Sequence, residues 1–171
     1  RSPQGNPVIL PMVPLGFPVP SYASSTFLRE TESWYRLVAA ELAPLVYPEG
    51  PIVLCQIDNE AAFYFRDGAY DQDYRPEAVE QYRAFLEKRY GSRAALERAY
   101  GRRAAPFSEI CPPAAFDAET ADDLAYHLDW AEFLEHLLGA ALARMRAALE
   151  RAGLSGVPTV HNMPIGHEAT P

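Results

Sequence analysis

Residues 51–57 read Pro-Ile-Val-Leu-Cys-Gln-Ile, and this stretch constrains the fold most tightly. Five of the six residues after Pro51 are apolar and three are β-branched, so a run this short reads as a strand rather than a helix. Apolar side chains on both alternating faces place such a strand in a parallel sheet covered by helices. A helical pattern precedes it: Trp34, Leu37, Val38, Leu42, Leu45 and Val46 recur at three- and four-residue spacing. Thr31 serves as N-cap and Pro48-Glu49-Gly50 as the stop. A helix, a short turn and a buried strand form the αβ half of a βαβ unit. Asp58-Asn59-Glu60 then falls at the strand's C-terminal end, where parallel α/β folds place their ligand sites.

The remaining segments fit around that unit. Val8-Ile9-Leu10 reads as the end of a further strand, and the prolines that follow make residues 11–20 an extended loop. Residues 61–75 form a loop rich in aromatics (Phe63, Tyr64, Phe65, Tyr70, Tyr74) and aspartate (Asp67, Asp71, Asp73), the aspartates read as a solvated turn. Pro76 opens a helix that places Val79, Tyr82, Phe85, Leu86 and Tyr90 against the sheet and ends at Gly91. Ser92 caps a short helix reaching Tyr100, and residues 101–118, with Pro106, Pro112 and Pro113, form an irregular connection.

A long helix is expected over residues 120–152, with Leu124, Leu128, Ala131, Leu134, Leu138, Leu142, Met145 and Leu149 on its stripe and Gly153 as the stop. At 1.5 Å per residue it would reach about 50 Å, longer than a usual barrel helix. Residues 157–162 repeat the buried-strand pattern and deliver His161 and Asn162 to the rim that carries Glu60.

Charge and cysteine content exclude several classes of function. Fifteen Lys and Arg stand against 23 Asp and Glu, a formal charge of −8, which argues against a nucleic-acid backbone or an anionic membrane surface as partner. No apolar stretch approaches the length of a transmembrane helix. Cys55 and Cys111 build neither a disulfide framework nor a thiolate zinc site. Cys55 reads as a small core residue and Cys111 as a loop thiol.

Glu60 is the leading candidate for chemistry. Desolvation by Phe63, Tyr64 and Phe65 would raise its pKa, as a general acid near neutral pH requires; the plainer reading is a helix cap or an arginine partner. Asn59 either donates to a substrate hydroxyl or satisfies strand-end backbone groups, and Asp58 reads as structural. His161 and Asn162 are candidates for substrate contact, although a lone strand-end histidine is more often simply hydrogen-bonded. The spacing of Asp67, Asp71 and Asp73 fails the EF-hand pattern, because the glycine falls at Gly68. His167-Glu168 lacks the second histidine of a metalloprotease helix, and neither Gly-x-Ser-x-Gly nor a phosphate-binding loop occurs. No metal and no cofactor are expected.

Residues 50–60, Gly-Pro-Ile-Val-Leu-Cys-Gln-Ile-Asp-Asn-Glu, resemble the β-galactosidases of glycoside hydrolase families 35 and 42, retaining enzymes built on a TIM barrel. Leu15-Gly16-Phe17-Pro18 and the helix from Trp34 to Val46 are similar to the family-35 segment before this motif. The stretch from Tyr82 to Gly91, followed by Ala95-Leu96-Glu97-Arg98-Ala99-Tyr100-Gly101, is similar to the family-42 stretch after it. Two departures stand out: Ala61-Ala62 replaces the usual Tyr-Gly, and the family-35 Arg-Pro-Gly-Pro-Tyr and Ala-Glu-Trp elements are not recognisable.

The resemblance implies an α/β fold, part of a (β/α)8 TIM barrel covering about strands 3 to 5 with their helices. It divides the chain into a loop-rich entry (1–30), a helix and acid/base strand (31–60), loop and helices (61–118), and the long helix with the next strand (119–171), all one partial catalytic domain. It implies double displacement on terminal β-galactosides, with Glu60 as general acid/base, Asn59 on the sugar 2-hydroxyl, and His161 and Asn162 in contact with sugar. Two carboxyls about 5–5.5 Å apart flank the scissile bond in that mechanism. The nucleophile belongs to the seventh strand, outside this chain, so the chain by itself is expected to be inactive. The expected partners are a carbohydrate substrate and either the remainder of the barrel or a second copy. The alternatives are a related enzyme acting on a β-glucan or xylan, which the aromatic loop would suit, and a non-catalytic α/β interaction module. A whole barrel needs about 250 residues, so 171 residues read as an excerpt.

Overall fold

The parallel sheet expected from residues 51–57 is present. A computed structural model describes residues 9–10, 19–59, 70 and 73–162. Along the chain run β1 (Ile9–Leu10), β2 (Val19–Pro20), α1 (Ser25–Leu42), β3 (Cys55–Asn59), α2 (Pro76–Tyr90), α3 (Arg93–Ala99), α4 (Leu124–Leu149) and β4 (Thr159–Asn162). β3 and β4 are parallel neighbours, with Cys55 opposite Thr159, Gln56 opposite Val160 and Asn59 opposite Asn162. Parallel neighbours require a crossover, and α2, α3 and α4 provide it.

Two expectations about strands are corrected. Ile9–Leu10 pairs antiparallel with Val19–Pro20 in a separate two-stranded sheet, so it is not a strand of the parallel sheet. Among the described residues that sheet therefore holds two strands rather than three. β3 also begins at Cys55 rather than Ile52, and among the described residues it is covered on one face only. Cys55 and Ile57 pack against the helices, whereas Gln56, Val53 and Leu54 are exposed, Val53 at 62%.

α1 starts seven residues earlier than Thr31 as N-cap suggests. The chain leaves its extended course at Ser24, whose hydroxyl accepts from Phe27 N at 3.3 Å, and Leu28 is already buried. The loop-rich entry thus ends at Ser24 rather than at residue 30. The buried face centres on Leu28 and Ala39, with Tyr35 and Leu42 beside them. Ala39 has no bulk to hold its neighbours off, and it packs with Leu149, Leu154 and Val157. Trp34 and Leu37 instead lie 60% and 72% exposed. Helical geometry puts them on the flank away from Glu32, which bonds Arg144 of α4 at 2.6 Å. That apolar flank and the free edge of β3 are unpartnered among the described residues. The turn into β3 needs glycine at one point: a Cβ on Gly50 would stand 2.2 Å from the Leu45 carbonyl oxygen.

α2 and α3 run as their local signals predict. Pro76 opens α2, Gly91 closes it in the left-handed conformation at φ 68°, and Ser92 caps α3 by accepting from Ala95 N. The aromatic stripe of α2 packs on α4, however, rather than on the sheet. Tyr82 meets Trp130 edge-on at 5.1 Å, and Phe133 lies 5.4 Å from Tyr82 and 5.8 Å from Phe85. α4 itself is shorter than expected, at 26 residues, and passes into a π-type turn over Glu150–Leu154. Its buried seam is Trp130, Phe133, Leu134, Leu137, Ala141, Met145 and Ala148. Leu128, placed on the stripe from the sequence, is 61% exposed. A helix apolar on most of its circumference does not show its inner face by leucine spacing, and the large rings of Trp130 and Phe133 select it.

Asp129 is the buried charge of this seam. Its carboxylate accepts from Tyr90 Oη and Tyr100 Oη, both at 2.8 Å, and pairs with Arg89 Nε at 3.2 Å. Burial raises its pKa, against those bonds and the arginine, which lower it. Asp73, read as part of a solvated turn, is also buried, and it accepts from Ser21 Oγ at 2.6 Å. Among the described residues no helix is long and apolar enough to cross a membrane.

Two measurements check this core. Phe133→Ala is expected to cost about 3–5 kcal/mol in urea denaturation, and Leu128→Ala less than about 0.5 kcal/mol; equal costs would restore the leucine stripe. Asp129 is held above its ordinary value of 3.8, so the folded chain binds the proton more readily than the unfolded one. Its contribution to stability therefore grows as pH falls from the folded-state pKa toward 3.8. On acidification from pH 7 in that window, wild type is expected to gain stability relative to Asp129→Asn, and parallel pH curves would remove the linkage.

Candidate functional site

The C-terminal ends of β3 and β4 hold a cluster of side-chain amides. β3 takes three steps from Gln56 to Asn59 while β4 takes two from Val160 to Asn162, which is a bulge in β3. Without it, Gln56 and Asn59 would point to opposite faces. With it, both side chains join Asn162. Gln56 Nε2 donates to Asn162 Oδ1 at 2.9 Å, to the Asp58 carbonyl at 3.0 Å and to Asn59 Oδ1 at 3.1 Å. Asn162 Nδ2 donates to Asn59 Oδ1 at 3.2 Å. Two of the residues singled out from the sequence, Asn59 and Asn162, are thus brought together across the sheet.

His161 stands elsewhere. Alternation along β4 turns it to the face shared with Thr159, on the helix side where Cys55 packs. Its Nε2 is buried without a hydrogen-bond partner among the described residues. Glu60 lies outside the described residues, as do Phe63, Tyr64, Phe65, Asp67, Asp71, His167 and Glu168. Cys55 is half-buried at the start of β3 and Cys111 exposed, both as free thiols.

The strand end is fixed from below by Asp58, read from the sequence as structural, and by Tyr22 and Tyr35, which the sequence reading did not single out. Asp58 Oδ1 accepts from Asn59 N at 2.8 Å, and Asp58 Oδ2 accepts from Tyr22 Oη. Tyr35 of α1 donates its hydroxyl to the Ile57 carbonyl. Burial, with the nearby Asp58 charge, pushes the Tyr35 phenol up to about 12, so it remains a donor throughout the neutral range. Residues 21–24 are buried and tied to three elements: Ser21 to Asp73, Tyr22 to Asp58, and Ala23 through its carbonyl to Gln81 Nε2 at 3.0 Å. The signal for Gln56 was available, since it is the one polar residue in the apolar run. The signal for residues 21–24 was not, because their burial depends on partners distant in sequence. Among the described residues no group of three or more His, Cys, Asp or Glu is arranged to hold a metal ion.

The family model described as Glyco_hydro_42, Beta-galactosidase, matches residues 19–167. The chain belongs to this family. Solved structures similar to it include the β-galactosidase from Bacillus circulans sp. alkalophilus, 21% identical with a TM-score of 0.67 over 84% of this chain and 21% of that one. The β-galactosidase from the psychrophilic Marinomonas ef1 is 22% identical with a TM-score of 0.68, over 86% of this chain and 22% of that one. The fold is accordingly part of a TIM barrel, and the chain spans about a fifth of the length of these structures. None of the curated proteins matches it.

The amide cluster yields a direct test. In a double-mutant cycle on Asn59→Ala and Asn162→Ala, the second substitution is expected to cost about 0.5 kcal/mol less in the background of the first. Strictly additive losses of stability would mean that the two side chains do not meet in solution.

Proposed function

We propose that this chain is the acid/base segment of a retaining glycosidase that hydrolyses terminal β-galactosides by double displacement. The observation that carries the reading is the parallel pairing that sets Asn59 beside Asn162 at adjacent strand ends, in a chain of the family-42 type. Glu60 follows Asn59 directly in the sequence, and the resemblance assigns it the acid/base role. In the first half-reaction Glu60 protonates the glycosidic oxygen as the bond to the anomeric carbon breaks. In the second it takes a proton from the water that displaces the enzyme from that carbon. The nucleophilic carboxylate comes from a strand outside these residues.

Asn59 donates to the sugar 2-hydroxyl and Asn162 contributes beside it. His161, on the helix side of β4, has the weaker claim on the sugar. Two of the similar structures are of β-galactosidases, which favours a galactoside over a β-glucan or xylan. The 171 residues act as one part of a single catalytic domain. The Trp34 and Leu37 flank and the free edge of β3 receive the strand and helix that complete the barrel on that side, or a second copy where those are missing. A formal charge of −8 fits neither nucleic acid nor an anionic membrane as a further partner.

The test uses the full-length protein carrying this segment, with aryl β-galactosides of good and poor leaving group. Glu60→Gln is expected to lower turnover of the poor leaving group by about 10²–10⁴. The good leaving group, which departs without a proton, is affected far less in the first half-reaction. Unchanged turnover of both substrates would take Glu60 out of the acid/base role, and the 171-residue chain alone is expected to turn over neither.

A further inference from the structure

We propose that Gln56 is a positioning residue for the sugar site: its carboxamide sets which end of the Asn59 amide faces the substrate. The proposal rests on the reading of Asn59 as a donor to the sugar 2-hydroxyl. Gln56 interrupts the apolar run of residues 52–57, and a polar residue exposed on a strand needs no fixed partner. Here it is tied at three points. Nε2 carries two protons, and acceptors from both strands, Asn162 Oδ1 and Asn59 Oδ1 with the Asp58 carbonyl, share them within 2.9–3.1 Å. Asn59 Oδ1 receives a second donor, Asn162 Nδ2, at 3.2 Å. Two donors on that oxygen commit the acceptor end of Asn59 to the sheet. The donor end, Nδ2, has no partner among the described residues and is left for a ligand.

The bulge between Gln56 and Asn59 is part of the same device, because a regular strand would separate the two side chains onto opposite faces. A carboxylate in place of the Gln56 amide would set lone pairs against Asn59 Oδ1 and Asn162 Oδ1. Relief comes by turning the Asn59 amide over, so that Nδ2 faces the sheet and oxygen faces the sugar. Gln56→Glu therefore changes almost no volume and exchanges a donor for an acceptor at the site. Gln56→Met keeps the length and removes the bonds.

The experiment compares wild type, Gln56→Glu, Gln56→Met and Asn59→Ala in the full-length protein, on an aryl β-galactoside and its 2-deoxy analogue. Both Gln56 variants are expected to lose kcat/KM on the parent substrate by on the order of tenfold, and to match wild type on the analogue, which lacks the hydroxyl. Equal losses on both substrates, or none, overturn the positioning role. Should Asn59→Ala fail to discriminate the two substrates, the reading of Asn59 falls and the proposal with it. If Asn59→Ala discriminates and the Gln56 variants do not, only the proposal falls. A second readout is independent of turnover: the side-chain NH2 resonances of Asn59 and Asn162 are expected to shift in Gln56→Met. Resonances that stay in place overturn the geometry.

Discussion

The structure depends on one pairing, β3 beside β4 in parallel. Parallel strands cannot be joined by a tight turn, so the hundred or so residues between them must climb back over the sheet. α2, α3 and α4 do so. Their own mutual core, Tyr82 and Phe85 against Trp130 and Phe133, is built largely without the sheet. The sheet face that the helices cover is correspondingly small, reached mainly by Cys55 and Ile57. What the crossover contributes to function is register: it returns the chain so that Asn162 arrives opposite Asn59.

That arrangement divides the two strands by chemistry. Ile57 and Cys55 lie on the helix side, while Gln56, Asn59 and Asn162 share the other, and the bulge permits the division. The stiffness of the rim comes from below. Tyr35 from α1, Tyr22 from the entry segment and Asp58 at the strand end form hydrogen bonds that fix the backbone from which Asn59 projects. Residues 21–24 connect this support to α2 and to Asp73, so the support of the strand end draws on segments on either side of it in sequence.

The parts legible in the sequence are those with local causes. Pro76, Gly91 and Ser92 announce the ends of α2 and α3, because a fixed φ, a left-handed residue and a capping hydroxyl act within one turn. The parallel strand before Asn59 was legible from its short apolar, β-branched run, whereas its start at Cys55 and its one-sided cover were not. The start of α1 was not, since Ser24 and Thr31 are equally good caps in isolation and only the burial of Leu28 decides between them. The inner face of α4 was not, since most of that helix is apolar. The bulge was not, because nothing in residues 52–59 specifies a two-against-three register until β4 lies beside them. Of the site residues, Asn59 and Asn162 were legible as strand ends, while Gln56 was visible only as a polar interruption.

The composition of the rim has an electrostatic consequence for the proposed chemistry. An acid/base carboxyl must give up a proton in one half-reaction and recover it in the next, so its pKa must respond to the charge on the second carboxylate. A fixed positive group beside it would hold it ionised, and a fixed negative group would hold it protonated. Three neutral amides do neither. They offer oriented donors and acceptors at hydrogen-bond distance while adding no net charge at the strand ends that precede Glu60 in the sequence. The one carboxylate in this stretch, Asp58, is committed to Tyr22 and to the Asn59 backbone. On the proposed reading, the amides handle the hydroxyls of the sugar, and the protonation of Glu60 is left to follow the covalent state of the nucleophile.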